Sequence, residues 1–150
     1  MKKRTTLLAQ MDESIAQLLD AYKNLENPDR IIYEGWTAKD VLGHLTFWHE
    51  SFARNVSDLV NDKKPTPLKG TYSALNQQCF AEMRPLTVAA ITKRLEDAHQ
   101  RIQKNILNPD LVMIPYRKGS RDYSPEEHLD IVNQHIQEHL KEIKKINKTT

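Results

Sequence analysis

The chain has 150 residues, which is enough for one domain with a buried core, and its 4 glycines and 7 prolines are too few for a turn-rich β-sandwich. The formal net charge of +2 is too small to indicate a nucleic-acid partner, and no apolar run is long enough to cross a membrane. The single cysteine, Cys79, excludes an internal disulfide and favours a reducing compartment, so we expect a cytoplasmic protein without nucleic-acid or membrane partners.

Four long amphipathic helices are predicted, and two of them lie in the N-terminal part of the chain. Helix one is predicted over residues 5–25, because apolar side chains recur there at spacings of three and four. Helix two begins at Thr37, a candidate N-cap with Asp40 three residues later, and ends near Asp62. A long connection over residues 63–86 follows.

The C-terminal part of the chain carries the other two long helices. A short extra helix is predicted at residues 72–83, inside the connection, and helix three follows Thr87. Helix four has the clearest start, with Ser124 as the cap, Pro125 at the first helical position and Glu127 reaching back to the cap. The fold class is therefore all-α, and residues 1–150 are predicted to form a single four-helix bundle.

The positions of two histidines favour one topology of this bundle. His44 lies seven residues after the cap of helix two, and His139 lies at a similar distance before the expected end of helix four. The two side chains are level only if these helices run antiparallel, as in an up-down-down-up bundle. That arrangement requires a long crossover between helices two and three, and residues 63–86 supply it.

Three histidines are the candidate metal ligands. His135 and His139 stand four residues apart on helix four and project from the same face. With His44 they would give three imidazoles and room for water, which is typical of a catalytic rather than a structural metal centre. Zinc or nickel is favoured, although cobalt and iron also accept such ligands. The alternative is that the three side chains line a core or cavity without metal.

The other histidines are interpreted differently. His128 faces the bundle but lies about 10 Å along the helix from His135, too far to share an ion, so a place in the pocket wall fits it better. The helical wheel turns His49 away from His44, and we predict that His49 and His99 are surface residues. No residue is assigned a catalytic role from the sequence.

Several other side chains are candidates for a pocket. Arg117 and Arg121 precede helix four and could hold a substrate carboxylate or phosphate, or they could belong to a solvated loop. Trp48 is predicted to line the pocket, and Trp36 to lie in the core or the pocket wall. Cys79 is either a nucleophile or a buried thiol.

Two weaker motifs remain. Asn76 and Gln77 could line the mouth of a site. Residues 135–139 also match the inverted zinc-protease signature through Glu138. That mechanism needs a further acidic ligand, commonly well downstream, and only 11 residues follow His139, so a protease is disfavoured.

The motifs around the histidines resemble those of a known superfamily. Residues 35–50, with Trp36 eight residues before His44, resemble the second-helix motif of the DinB/YfiT-like superfamily. The pair formed by His135 and His139 is similar to the second ligand motif of that superfamily. The resemblance covers nearly the whole chain.

One branch of the superfamily is the most similar. The Trp-x-x-Lys-Asp-Val-Leu-x-His-Leu motif over residues 36–45, the pair Asn76-Gln77 and the chain length resemble the ClbS/DfsB branch, the DUF1706-type proteins. Members of that branch often lack the second histidine of helix four, whereas this chain has His139.

The resemblance implies both a fold and a class of chemistry. It implies an up-down-down-up bundle, often a homodimer, with a divalent metal held by His44, His135 and His139. No organic cofactor is apparent from the sequence. Relatives include transferases that use low-molecular-weight thiols, a thiol-dependent isomerase and a hydrolase that opens the cyclopropane of a genotoxin. We therefore expect a metal-dependent transferase or hydrolase acting on a small electrophile or toxin. The alternative is a non-catalytic, stress-related protein that binds or sequesters a small molecule.

Overall fold

The computed structural model describes residues 2–149, so Met1 and Thr150 of the predicted domain lie outside the described residues. Within this range the protein is mostly helical, with five α-helices and one small antiparallel sheet. The elements in chain order are α1 (Arg4–Lys23), β1 (Ile31–Tyr33), β2 (Trp36–Thr37), α2 (Ala38–Val60), α3 (Tyr72–Met83), α4 (Val88–Asn105) and α5 (Pro125–Thr149).

Local capping chemistry sets the starts of the two helices that carry the candidate ligands. The Thr37 hydroxyl accepts the backbone N–H of Asp40 at 3.1 Å, and the Asp40 carboxylate accepts that of Thr37 at 3.0 Å. Ser124 and Glu127 make the same reciprocal pair, both at 3.1 Å, ahead of Pro125. Each pair satisfies backbone donors that would otherwise have no partner, and both predicted helix starts are confirmed.

The helices enclose one apolar core. Helix α1 packs along α5, α2 packs along α4, and α3 lies against α2. The most deeply buried side chains come from all five helices and include Met11, Leu18, Leu42, Leu75, Ile91, Ile102 and Leu140. Among residues 2–149, none of the helices has the length and apolar character needed to cross a membrane.

The short helix predicted in the long connection is confirmed, since α3 covers residues 72–83. It lies close to α2 at Gly43, where an added Cβ would stand 2.9 Å from Cβ of Met83. A side chain at position 43 would therefore push α3 outward. This contact holds α3 over the half of α2 that carries His44.

A small β-hairpin precedes α2, and the sequence did not predict it. Strands β1 and β2 pair antiparallel around a turn in which Gly35 adopts a φ of 79°, a conformation that favours glycine. The hairpin brings two aromatic rings to the candidate ligands. The ring centroids of Tyr33 and His139 are 6.3 Å apart, and those of Trp36 and His44 are 5.4 Å apart. Strands of two and three residues are too short to show a periodic pattern.

Candidate functional site

The three histidines singled out in the sequence lie together. One ring nitrogen from each of His44, His135 and His139 falls within 4.8 Å of the other two. The Nε2 atoms of His135 and His139 are only 3.1 Å apart. Two ring nitrogens at that separation must share either a proton or a cation.

The orientation of His139 is set by two neighbours. Its Nδ1 atom lies 2.7 Å from Oε1 of Glu142 and 3.2 Å from the hydroxyl of Tyr33, which also donates a hydrogen bond to Glu142. A carboxylate can only accept, so Nδ1 of His139 carries a proton and Nε2 presents its lone pair to the cluster. This carboxylate–histidine arrangement is the one that commonly orients metal ligands.

Electrostatics keep the other two imidazoles neutral. Burial, followed by the proximity of His135 and His139, lowers the pKa of His44 to about 3. Burial likewise lowers the pKa of His135, with His139 adding to the effect. A neutral imidazole is the form that binds metal. In addition, the buried Nδ1 atom of His44 has no hydrogen-bond partner among the described residues. The donor set therefore fits a divalent cation.

A cavity of about 580 Å³ adjoins the cluster, and His44 and His135 form part of its wall. The opposing aromatic side chains Trp48 and Tyr116 stack with ring centroids 5.1 Å apart and planes inclined by 19°. Other lining residues include His49, Ser51, Phe52, Asn55, Tyr72, Asn76, His128 and Ile131. A mostly apolar cavity of this volume with a few polar groups is suited to a small organic molecule.

His128 lies in the cavity wall, away from the three clustered histidines. Its ring centroid is 4.0 Å from that of Phe52, and both of its ring nitrogens are buried without a hydrogen-bond partner among the described residues. Burial lowers its pKa to about 4. The structure therefore places a neutral, unsatisfied imidazole at the cavity.

Two histidines are not where the sequence analysis put them. His49 and His99 were predicted at the surface, but they are buried, with 2% and 6% of their areas exposed. Nε2 of His49 lies 3.1 Å from Nδ1 of His99. The prediction was wrong because the face of α2 that turns away from His44 is covered by α4 and is not exposed to solvent. A signal was present, since Leu95 and Ile102 flank His99 at helical spacing and are buried.

The two arginines proposed for substrate binding do not line the cavity. Arg117 donates to the backbone carbonyl of Gly70 at 2.9 Å and lies over the ring of Tyr72, 4.3 Å from its centroid. Arg121 pairs with Glu127 at 2.9 Å. These contacts hold the two side chains to the loop and to the start of α5, and Arg117 borders the cavity through the ring of Tyr72, while its buried Nε atom has no hydrogen-bond partner among the described residues.

The remaining candidates divide between the wall and the core. Asn76 lines the cavity, but Gln77 does not, and Trp36 packs against His44 without reaching the lining. Glu138 is exposed at the edge of the cavity. Cys79 is buried, and burial raises its pKa to about 12, so its thiol keeps its proton and is a poor nucleophile.

Comparisons with known proteins connect this arrangement to a family. The model of the mycothiol maleylpyruvate isomerase N-terminal domain matches residues 30–111, more than half of the chain. This segment contains His44 but ends before α5. A search of curated protein sequences finds no match.

Solved structures share the fold at low sequence identity. The crystal structure of a mycothiol-dependent maleylpyruvate isomerase aligns with a TM-score of 0.76 and 13% identity, covering 95% of this chain and 61% of the isomerase. The chain thus spans about three fifths of that enzyme. An uncharacterized protein from Clostridium difficile 630 aligns with a TM-score of 0.76 and 12% identity, covering 99% of this chain and 97% of that one. With its matching domain and its DinB-like fold, the chain belongs to the mycothiol maleylpyruvate isomerase N-terminal domain family.

Proposed function

We propose that the protein is a metal-dependent enzyme that directs a low-molecular-weight thiol at a small electrophile. The observation that carries the proposal is the convergence of ring nitrogens of His44, His135 and His139 within 4.8 Å, beside an aromatic cavity whose wall includes His44 and His135. Family membership supports a thiol as the nucleophile, because the isomerase of similar fold depends on mycothiol. Transfer or isomerisation is therefore favoured over simple hydrolysis.

The side chains have separate tasks in this proposal. His44, His135 and His139 would hold the ion through neutral ring nitrogens, and Glu142 with Tyr33 fixes the proton of His139 on the outward nitrogen. A bound divalent cation supplies positive charge that lowers the pKa of a thiol or of water at the site.

The aromatic wall of the cavity would bind the electrophile. The stacked rings of Trp48 and Tyr116 offer a flat apolar surface, and Tyr72 extends it toward solvent. Excluding water from this surface would favour attack by the thiol over hydrolysis. Arg117 and Arg121 are left out of substrate binding, because their guanidinium groups are engaged elsewhere.

A hydrolytic reaction of the ClbS/DfsB type is a second candidate. It is favoured by the motif over residues 36–45 and by Asn76, which lies in the cavity wall. In that case water would take the place of the thiol at the same three histidines.

Cobalt-substituted protein would test the thiol proposal. We expect cysteine or glutathione, added as probes to the cobalt-loaded wild type, to produce a thiolate-to-cobalt charge-transfer band in the near ultraviolet. The same addition to His135→Ala should give no band. A cobalt spectrum that neither thiol changes would contradict a thiol nucleophile and leave water as the alternative.

We further infer a single domain in which the four long helices run up-down-down-up, and the level positions of His44 and His139 support this topology. A cytoplasmic location is in keeping with the single, buried cysteine.

The exposed apolar side chains of Ile31, Val112 and Met113 support a homodimer. Analytical ultracentrifugation should give twice the chain mass, and a monomer at micromolar concentration would refute the dimer.

A further inference from the structure

A second group of polar side chains connects the cavity to the protein surface through the core. His49 lies in the cavity wall on α2, and its Nε2 atom is 3.1 Å from Nδ1 of His99 on α4. On the far side, Nε2 of His99 is 2.7 Å from Oδ1 of Asp12 on α1. Both imidazoles are buried, whereas the Asp12 side chain is 39% exposed. The three residues therefore span the distance from cavity to solvent.

The acid at the outer end fixes the proton positions along the whole chain. A carboxylate only accepts hydrogen bonds, so Nε2 of His99 must carry the proton that it shares with Asp12. Neutral His99 then has an unprotonated Nδ1, which accepts from the Nε2–H of His49. The remaining ring nitrogen of neutral His49, Nδ1, is left with a free lone pair. Gln103 donates to the same Asp12 oxygen at 2.9 Å and helps to hold it in place.

We propose that Asp12, His99 and His49 form a proton relay that makes Nδ1 of His49 the proton acceptor for a small molecule in the cavity. The molecule would be a flat, largely apolar compound carrying a weakly acidic C–H or S–H group. Its X–H bond breaks, the electron pair stays on the molecule, and the proton binds to Nδ1 of His49. The Nε2 proton of His49 passes to Nδ1 of His99, and the Nε2 proton of His99 passes to Asp12 and then to water.

The surroundings of His49 explain why a relay is needed. Burial, with smaller contributions from His99 and His128, lowers the pKa of His49 to about 3, so the ring by itself holds a proton poorly. The groups facing it are His99 from α4 and His128 from α5, and neither is an acid. Asp12 is the negative charge that opposes the effect of burial on the pKa of His99. Passing the proton outward leaves no cation in the core.

Nuclear magnetic resonance of the ring nitrogens tests the proton positions. In metal-free wild type at neutral pH, we expect both His49 and His99 as the Nε2–H tautomer. Asp12→Ala removes the acceptor and should populate both tautomers of His49, whereas Asp12→Asn keeps an acceptor oxygen and should restore the single form. Glu13→Ala, which removes an exposed acid one position along, is the matched control and should match wild type. A His49 ring with Nδ1–H in wild type, or tautomers that Asp12→Ala does not change, would overturn the proposal.

A base-catalysed probe reaction tests proton acceptance. The probe is 5-nitrobenzisoxazole, whose C–H proton is removed as its N–O bond breaks to release a coloured phenolate, with no co-reactant. With chelator present, we expect wild type to exceed His49→Gln by about 100-fold and Asp12→Ala by about 10-fold. A wild-type rate no higher than that of His49→Gln contradicts the relay. Asp12→Ala keeps the test valid if the His49 variant fails to fold, and the chelator separates this result from the metal proposal.

Discussion

Oε1 of Glu142 lies 2.7 Å from Nδ1 of His139, one turn earlier on the same helix. The contact holds the ring so that its other nitrogen faces His135. We predict that Glu142→Gln weakens zinc binding by about 10- to 100-fold, because an amide fixes neither the proton nor the ring orientation as strongly as a carboxylate does.

Chelator competition with zinc measures this effect. Glu138→Gln is the matched control, since Glu138 lies on the same helix but makes no hydrogen bond to the three histidines within the described residues. Equal zinc affinities for the two variants would show that Glu142 does not support the site.

The buried imidazole of His128 predicts a pH-dependent stability. Its folded pKa is about 4, below the value of about 6.5 expected when unfolded, so its contribution to stability is complete above pH 6.5 and falls as the pH drops toward 4. At pH 5 the protonation of His128 in the unfolded chain lowers the free energy of unfolding by about 2 kcal/mol. His128→Phe removes both the titration and two unsatisfied nitrogens beside Phe52.

Urea unfolding at pH 7.5 and pH 5 checks the prediction. We expect His128→Phe to be more stable than wild type by about 1 kcal/mol at pH 7.5 and by a larger margin at pH 5. A constant difference between the two pH values would mean that His128 does not titrate on unfolding as its burial requires.

The close contact of Gly43 with Met83 predicts a position that cannot accept a side chain. Gly43→Ala would place a Cβ 2.9 Å from Cβ of Met83, and this overpacking should lower the free energy of unfolding by about 1–3 kcal/mol despite the better helix propensity of alanine. The double variant with Met83→Gly, which removes that Cβ, separates this contact from other effects. The double variant should lose less unfolding free energy than the two single variants lose together. Simple additivity of the losses would show that the contact is not responsible.

Much of the fold was predictable, because its signals are local. Thr37 with Asp40 and Ser124 with Glu127 mark helix starts through side chains that bond their own backbone. The hairpin is different. Ile31 pairs with Thr37 in a two-stranded ladder, which is only marginally stable without packing from neighbouring elements, and no repeat in the sequence indicates it.

The candidate site was predictable only in part, for a related reason. His44 and His139 were matched because both lie on the facing sides of two helices. His49 was misplaced because the helical wheel of α2 was read only for the face that carries His44. The burial of His99 depends on how α4 packs against α2. The Glu142 and Tyr33 contacts to the site could not be foreseen either, since Tyr33 reaches it through the hairpin.

The metal content of protein purified without chelator tests the central claim most directly. Inductively coupled plasma mass spectrometry should find about one divalent ion per chain in wild type and in His128→Phe, and none in His135→Ala with its helical circular dichroism unchanged. Metal-free wild type that neither zinc nor nickel stabilises against heat, or a folded His135→Ala that keeps a full ion, would contradict the three-histidine centre.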